Sequence, residues 1–279
     1  MKKILLFAIF AIAVFCGCEK EIENEIEEDN SLPQDPQITL TTNKEVGETI
    51  VLRFRRDKVP AEVIGATKIN EKESDADGGI FEAYVVDITY EITSQTVVLK
   101  GDIPSLRCRD NELTSLDITN YPGLKVLQCD NNQLTTLVAG GNSELGLLSC
   151  DNNQLTQLDV SKAKNLAVLF CNGNKLTSLD VSNNPKLGEF YCANNKLTSL
   201  DVSKNTKLFC LGCSLNKIKS AEMSKIIKAL PDWTGKSLWY IGEYPLNYAT
   251  INVVSKNNDE GNEISEADIK IAEGKNWKF

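Results

Sequence analysis

Apolar positions recur with a fixed period of 21 residues through the middle of the chain. The period is marked by six cysteines: Cys108, Cys129, Cys150, Cys171, Cys192 and Cys213. Large apolar residues stand five and two positions before each cysteine and five positions after it, and asparagine always stands three positions after it. Columns that stay in register through six turns are typical of a solenoid, in which every repeat forms one coil.

The residues around each cysteine alternate between inward and outward positions, which predicts one short β-strand per turn. Stacked coils place these strands side by side in a parallel sheet, about 4.8 Å apart. A single turn cannot bury its own leucines, so the core forms only in the stack. The asparagine column falls where the chain leaves the sheet. Its amides are expected to bond backbone groups of the turn and of the next coil.

The segment after each asparagine contains a second inward apolar pair, for example Leu176 and Leu179, and predicts an opposite wall of extended or 3₁₀ backbone. The whole unit is the leucine-rich-repeat pattern with cysteine in one of the leucine places. The predicted fold is therefore a repeat solenoid over residues 101–220, with a parallel β-sheet of six strands. One turn departs from the pattern, because residues 138–141 are Val-Ala-Gly-Gly instead of Leu-Asp-Val-Ser, and this predicts a local irregularity in the outer wall.

The segments on both sides of the repeats predict caps that cover the ends of the core. Residues 37–100 contain short β-like runs separated by glycine and proline, which predicts a β-sandwich-like N-terminal cap. Residues 221–279 predict an α/β C-terminal cap. It would contain a helix over 221–230, a strand at 238–241 and a second helix that Ser265 begins with a capping box.

The N-terminal segment predicts export. Residues 1–17 contain two lysines followed by an apolar run that fits a secretory signal and is too short to span a bilayer as a helix. Gly17 before Cys18 makes the segment resemble a bacterial lipoprotein signal, so Cys18 is the candidate lipid-attachment residue. An ordinary cleaved signal without lipid is the alternative. Residues 18–36 are rich in acidic residues, which predicts an extended, solvated tether.

The net charge and the composition argue against several classes of function. The formal net charge is −9, and cleavage after residue 17 would remove two lysines and leave −11. A chain this acidic repels phosphate backbones, so no nucleic-acid partner is expected. The chain has no histidine and no nucleophile or phosphate-loop motif. Carboxylates that recur in register, such as Asp180 and Asp201, are interpreted as a column of solvated or turn-bonding side chains. We therefore expect neither enzyme activity nor a cofactor.

The cysteine column has three interpretations. Zinc needs converging pairs of ligands, and Cys210 with Cys213 has the spacing of one pair but lacks a second. Disulfides between neighbouring parallel strands are poorly oriented. Buried free thiols acting as small hydrophobic residues are therefore favoured. Residues 257–268 loosely resemble a calcium loop, but a polar turn leading into a capped helix explains the same residues, and no metal site is predicted.

The outward positions lie three before, one before and one after each cysteine, on the concave face where solenoids usually bind. Val126, Leu147 and Val168 stand on successive strands with Phe170 and Tyr191 one column over, which predicts an exposed apolar and aromatic patch bordered by acids. The alternative is that such residues merely suit a strand. The candidate ligand-binding residues are Arg107, Arg109, Val126, Gln128, Asp130, Leu147, Asp151, Val168, Phe170, Glu189 and Tyr191.

Two turns are the most regular. Residues 171–182 are Cys-Asn-Gly-Asn-Lys-Leu-Thr-Ser-Leu-Asp-Val-Ser, and residues 192–203 differ only in having Ala-Asn-Asn after the cysteine. These turns resemble the 21-residue cysteine-ladder repeats of internalin-like bacterial surface proteins. With its β-rich front cap, the chain is more similar still to leucine-rich-repeat lipoproteins of Gram-negative anaerobes.

The resemblance implies an adhesion or recognition module that binds protein or glycan through its concave face. The implied location is the outer membrane, through a lipid anchor alone, and the acidic run after Cys18 resembles a surface-export tag that favours the cell surface over the periplasm. We expect a monomer. The alternative is a periplasmic or outer-membrane scaffold lipoprotein, not an enzyme, that organises other envelope proteins.

Overall fold

A computed structural model describes residues 36–75, 84–138, 141–235, 249–253 and 262–279. All of them belong to one compact unit, Pro36–Phe279. The predicted signal peptide, Cys18 and the acidic tether up to residue 35 lie outside the described residues, as does the predicted strand at 238–241. No helix among the described residues is long and apolar enough to cross a bilayer.

Short strands dominate the described chain, with two helices near its C-terminal end. The strands are β1 Gln37–Thr42, β2 Thr49–Arg55, β3 Glu62–Ile64, β4 Ala66–Asp75, β5 Tyr84–Ile92, β6 Thr96–Lys100, β7 Ser105–Arg107, β8 Leu113–Asp117, β9 Val126–Gln128, β10 Thr136–Val138, β11 Leu147–Ser149, β12 Gln157–Asp159, β13 Val168–Phe170, β14 Glu189–Tyr191, β15 Cys210–Gly212, β16 Ala249–Asn252 and β17 Trp277–Lys278. The helices are α1 Ser220–Ala229 and α2 Glu266–Gly274.

The main sheet has eleven strands in the order β17-β16-β15-β14-β13-β11-β9-β7-β2-β5-β4. The six repeat strands β7, β9, β11, β13, β14 and β15 lie next to one another and are parallel, because the fixed period brings the same repeat position to the same place on each strand. The sheet is longer than the six strands expected from the repeats. Cap strand β2 pairs antiparallel with β7, and β16 pairs parallel with β15.

The opposite wall also continues into the N-terminal cap. Strand β1 pairs antiparallel with β8 of the first turn and with β6, and β3 completes a four-stranded sheet. The next turns contribute the parallel pair β10 and β12. Each layer of the cap is therefore an extension of one wall of the solenoid. Residues 139 and 140, where the irregularity was predicted, lie outside the described residues.

The six ladder cysteines are free, and each is fully buried in the main core. They lie among the leucines of the repeat, with Phe190 taking a leucine place in one turn. Burial raises the pKa of the thiols of Cys108, Cys129, Cys150, Cys171 and Cys192, because a thiolate would lose its hydration there. This confirms the interpretation of the column as small buried hydrophobic residues.

The asparagine column bonds the backbone of its own turn, as predicted, but its second partner is the preceding coil and not the next one. The Asn153 amide donates to the carbonyl oxygens of Cys129 at 3.0 Å and Cys150 at 3.2 Å, and its Oδ1 accepts from the Leu134 N–H at 3.0 Å. Equivalent bonds recur at Asn132, Asn174, Asn195 and Asn216. Each amide therefore fixes the turn to the coil before it.

The C-terminal cap continues this column with a residue that the repeat does not predict. Asn262 accepts from the Ile218 N–H at 2.9 Å and donates to the carbonyl oxygens of Cys213 and Val253 at 2.7 and 2.8 Å. Ser265 is the N-cap of α2, as predicted: its Oγ accepts from the Asp268 N–H at 3.1 Å and donates to the Asp268 carboxylate at 2.6 Å. Residues 262–268 are the described part of the segment that loosely resembles a calcium loop. They contain a ladder asparagine and a helix N-cap.

Every turn passes through a left-handed residue two positions after the cysteine. The residues at this position, all with positive φ, are Asp110, Asn131, Asn152, Gly173, Asn194 and Leu215. Asparagine, aspartate and glycine adopt this conformation readily, whereas a leucine there is strained by its Cβ. Leu215 has a φ of 55° and its side chain is exposed.

Replacing Leu215 with asparagine is expected to raise the free energy of unfolding by about 1 kcal/mol, because it relieves this strain. Urea denaturation of the variant measures the change. The reciprocal variant Asn194→Leu, at the same place one turn earlier, should lose a similar amount. Equal midpoints for Leu215→Asn and the unmodified chain would contradict the strain.

Candidate recognition surface

The outward side chains of the repeat strands form three rows across the sheet, which we call the outward face. The register pairs Val126 with Leu147 and Leu147 with Val168 in the first row, three positions before the cysteines. It pairs Arg107 with Gln128 and Phe170 with Tyr191 in the second row, one position before them. The third row follows the cysteines, where the strands end.

The aliphatic part of the first row is more covered than the sequence predicted. Val126, Leu147 and Val168 are only 5%, 8% and 6% exposed, and they form a small apolar cluster separate from the main core. Neighbouring strands place their side chains about 5 Å apart, and Ala167 and Phe170 pack against the same cluster. The prediction of an exposed patch is therefore wrong for these three residues.

The accessible apolar surface is instead an aromatic pair. The rings of Phe170 and Tyr191 lie 5.3 Å apart between centroids and are tilted by 56°. Both side chains are half-buried. The Tyr191 ring occupies the place above Gly212, where a Cβ would lie 2.5 Å from Tyr191 Cδ1. The missing side chain at Gly212 thus lets the tyrosine ring lie close against the sheet.

The third row forms a second ladder that sequence reasoning missed. Asp130 Oδ1 accepts from the Asp151 N–H at 3.1 Å, Asp151 Oδ1 accepts from the Asn172 N–H at 2.6 Å, and Asn172 Oδ1 accepts from the Ala193 N–H at 2.8 Å. Three consecutive Asp or Asn residues in one repeat column were the available signal. The structure therefore places the candidate ligands Asp130 and Asp151 in backbone bonding. Burial raises the pKa of the Asp151 carboxyl.

Glu189 ends the aliphatic row on β14 and is buried. Desolvation raises the pKa of its carboxyl. On the next strand, the Cys210 Sγ lies 2.9 Å from Thr250 Oγ1. Glu189 is therefore placed beside the aromatic pair, but with little surface open to a ligand.

A pocket of about 430 Å³ lies where β2 meets β7, and we call it the seam pocket. It is lined by Lys44, Thr49, Val51, Arg53, Asp87, Arg107, Arg109, Asp110 and Asn111. Asn111 ties the two strands together, because its amide donates to the Val51 carbonyl oxygen at 2.8 Å and its Oδ1 accepts from the Val51 N–H at 2.9 Å.

Two of the four cations of the seam pocket, Arg53 and Arg109, are held by carboxylates. Asp87 accepts two bonds from the Arg53 guanidinium, at 2.5 and 2.9 Å. Asp130 accepts from Arg109 Nε at 2.6 Å. The structure brings the predicted residues Arg107 and Arg109 together with cap residues that the sequence did not indicate. These cap residues are distant in sequence, so only the β2–β7 pairing makes them neighbours.

The solved structures that are similar to this chain include two internalins. The functional domain of InlJ from Listeria monocytogenes, which includes a cysteine ladder, is 30% identical over 66% of this chain and 46% of that one, with a TM-score of 0.43. The internalin InlF from Listeria monocytogenes is 17% identical over 56% of this chain and 47% of that one, with a TM-score of 0.38. The chain thus spans less than half the length of either. No protein-family model and no curated protein matches.

Proposed function

We propose that this chain is a recognition module, not an enzyme, that binds a protein partner across its outward face. The observation that carries the proposal is the Phe170–Tyr191 pair, a half-buried aromatic surface fixed on a rigid sheet. Aromatic anchors held on a rigid scaffold dominate many protein interfaces, because they bury a large apolar area at a small cost in side-chain entropy.

A protein partner fits this surface better than a glycan does. Glycan recognition needs many hydrogen-bonding side chains, and the acids and amides of the third row already bond the backbone. Phe170 packs against the covered aliphatic cluster of Val126, Leu147 and Val168, so the apolar centre open to a partner is the aromatic pair, bordered by the polar third row. This is the usual composition of a protein interface.

The burial of the ladder thiols also favours a binding function over catalysis by a cysteine nucleophile. A cysteine nucleophile acts as its thiolate, and burial raises the pKa of the Cys171 thiol and of its neighbours in the column. In a dry core these groups are out of reach of a substrate. We therefore assign the cysteines to the architecture and the recognition to the opposite face of the same strands.

We further propose that the module is exported and anchored through lipid on Cys18, at the cell surface. The support is the composition of residues 1–36, with its basic start, apolar run and acidic tether. The alternative, an envelope scaffold that faces the periplasm, would use the same surface for another envelope protein. Protease treatment of intact cells separates the two, because only a surface module is cleaved.

The double variant Phe170→Ala, Tyr191→Ala is expected to weaken partner binding at least about thirtyfold, since two central anchors are lost. The dissociation constant is measured by calorimetry, with a partner isolated by the unmodified chain. Ile64→Ala, which removes an exposed apolar side chain on the opposite wall, serves as the control and should bind normally. Unchanged affinity of the double variant, with its fold intact, would contradict the proposal.

A further inference from the structure

We propose that the seam pocket binds the carboxylates of an acidic segment in the protein partner. The N-terminal cap would then form one end of the recognition surface, in addition to covering the core. This inference rests on the proposed function and makes it more specific. It adds an electrostatic contact where β2 pairs with β7 to the apolar contact on β13 and β14.

The charge of the pocket supports an anionic ligand. The pocket is lined by four cations, Lys44, Arg53, Arg107 and Arg109, against the lining acids Asp87 and Asp110 and the Asp130 that pairs with Arg109, in a chain whose net charge is −9. A local excess of positive charge on an acidic protein attracts anions to that place. The remaining acids and the overall charge oppose a continuous polyanion, so isolated carboxylates fit better than a phosphate backbone.

The positions of the cations suit carboxylate binding. The Asp87 carboxylate holds Arg53 through two bonds, and Asp130 holds Arg109 through Nε alone. The Arg109 side chain is 40% exposed, and its terminal amino groups take no part in the bond to Asp130. A guanidinium can donate two parallel bonds to one carboxylate, and a fixed guanidinium loses little entropy when it does so.

The distance between the seam pocket and the aromatic pair sets the spacing between acidic and apolar side chains in the ligand. The seam pocket lies at β7 and Phe170 lies on β13, three strand steps away through β9 and β11. Three steps correspond to about 14 Å across the sheet. An extended peptide covers this distance with about four residues. The preferred segment therefore has acidic side chains about four or five residues from an apolar one.

The experiment uses synthetic peptides with two glutamates separated from a leucine by one to eight serines, and matched peptides with glutamines. Binding to the purified chain is measured by fluorescence polarisation. We expect the glutamate peptides to bind at least about fivefold more tightly than the glutamine peptides. The strongest binding should occur at spacings near four residues.

The variant Lys44→Glu should abolish the preference for glutamate. Lys162→Glu, at an exposed lysine beyond the outer-wall strand β12, makes the same change of charge and should preserve the preference. Equal binding of glutamate and glutamine peptides, or no binding by any glutamate peptide, would overturn the inference. So would tighter binding of glucuronate than of the best peptide, since the ligand would then be an acidic sugar.

These outcomes are separable from failure of the proposed function. If Phe170→Ala with Tyr191→Ala abolishes binding of the natural partner while Lys44→Glu has no effect, the recognition surface stands and the seam pocket is not part of it. If both variants bind the partner normally, the outward face itself is not the site.

Discussion

Replacing Asn153 with leucine is expected to lower the free energy of unfolding by about 2–4 kcal/mol. Leucine has a similar volume but offers no hydrogen bonds. The Leu134 N–H would lose its acceptor, and the Cys129 and Cys150 carbonyl oxygens would lose a shared donor, all within a buried turn. Buried polar groups left without partners keep their full desolvation cost, which is why the expected loss exceeds that of an average hydrogen bond.

The neighbouring variant Gln154→Leu is the matched control, because Gln154 is exposed in the same turn. It should change the free energy of unfolding by less than about 0.5 kcal/mol. Urea denaturation followed by circular dichroism measures both variants. A loss for Asn153→Leu no larger than that of the control would show that the asparagine column does not hold the coils together.

The repeat could be predicted because its period is constant. When the same position returns every 21 residues, the strands align in register and the faces of each column follow from alternation alone. The inward cysteines, the asparagine ladder and the outward position of Phe170 and Tyr191 were all obtained this way. The helix over residues 221–230 and the Ser265 cap were accessible from local patterns for the same reason.

The ends of the solenoid could not be predicted, because their contacts are not periodic. Pairing of Arg53 with Arg107 joins residues more than fifty positions apart, and nothing in either segment specifies that register. The same holds for Asn262, which takes a ladder position without belonging to a repeat. The seam pocket depends on such contacts, so only the structure indicates it.

The solvent exposure of the outward side chains could not be predicted from the sequence either. Alternation correctly assigned Val126 and Leu147 to the outward face but could not show that they cover each other. The Asp and Asn column that follows the cysteines had a visible sequence signal, and its similarity to the known asparagine ladder could have indicated backbone bonding. The face on which a residue lies therefore does not show whether its side chain is exposed to a ligand.

The assignment of function to the outward face depends on the ladder cysteines being inside and unbridged, and their reactivity is the second large effect expected. In the native protein, alkylation of these cysteines requires unfolding of the surrounding turns. Since opening a core costs several kcal/mol, the reaction should be at least about a thousandfold slower than in the unfolded chain. The raised thiol pKa slows it further, because only the thiolate reacts.

Residue-resolved alkylation, measured by mass spectrometry before and after denaturation, tests this most directly. Cys210 is the internal control: it is 6% exposed, against 0% for the six ladder cysteines, and should react faster than they do in the native protein, although burial raises the pKa of its thiol as well. We expect those six to be unmodified when native and fully modified when denatured. Native modification of a ladder cysteine at the rate of Cys210, or a ladder cysteine that stays unreactive after denaturation, would contradict the account.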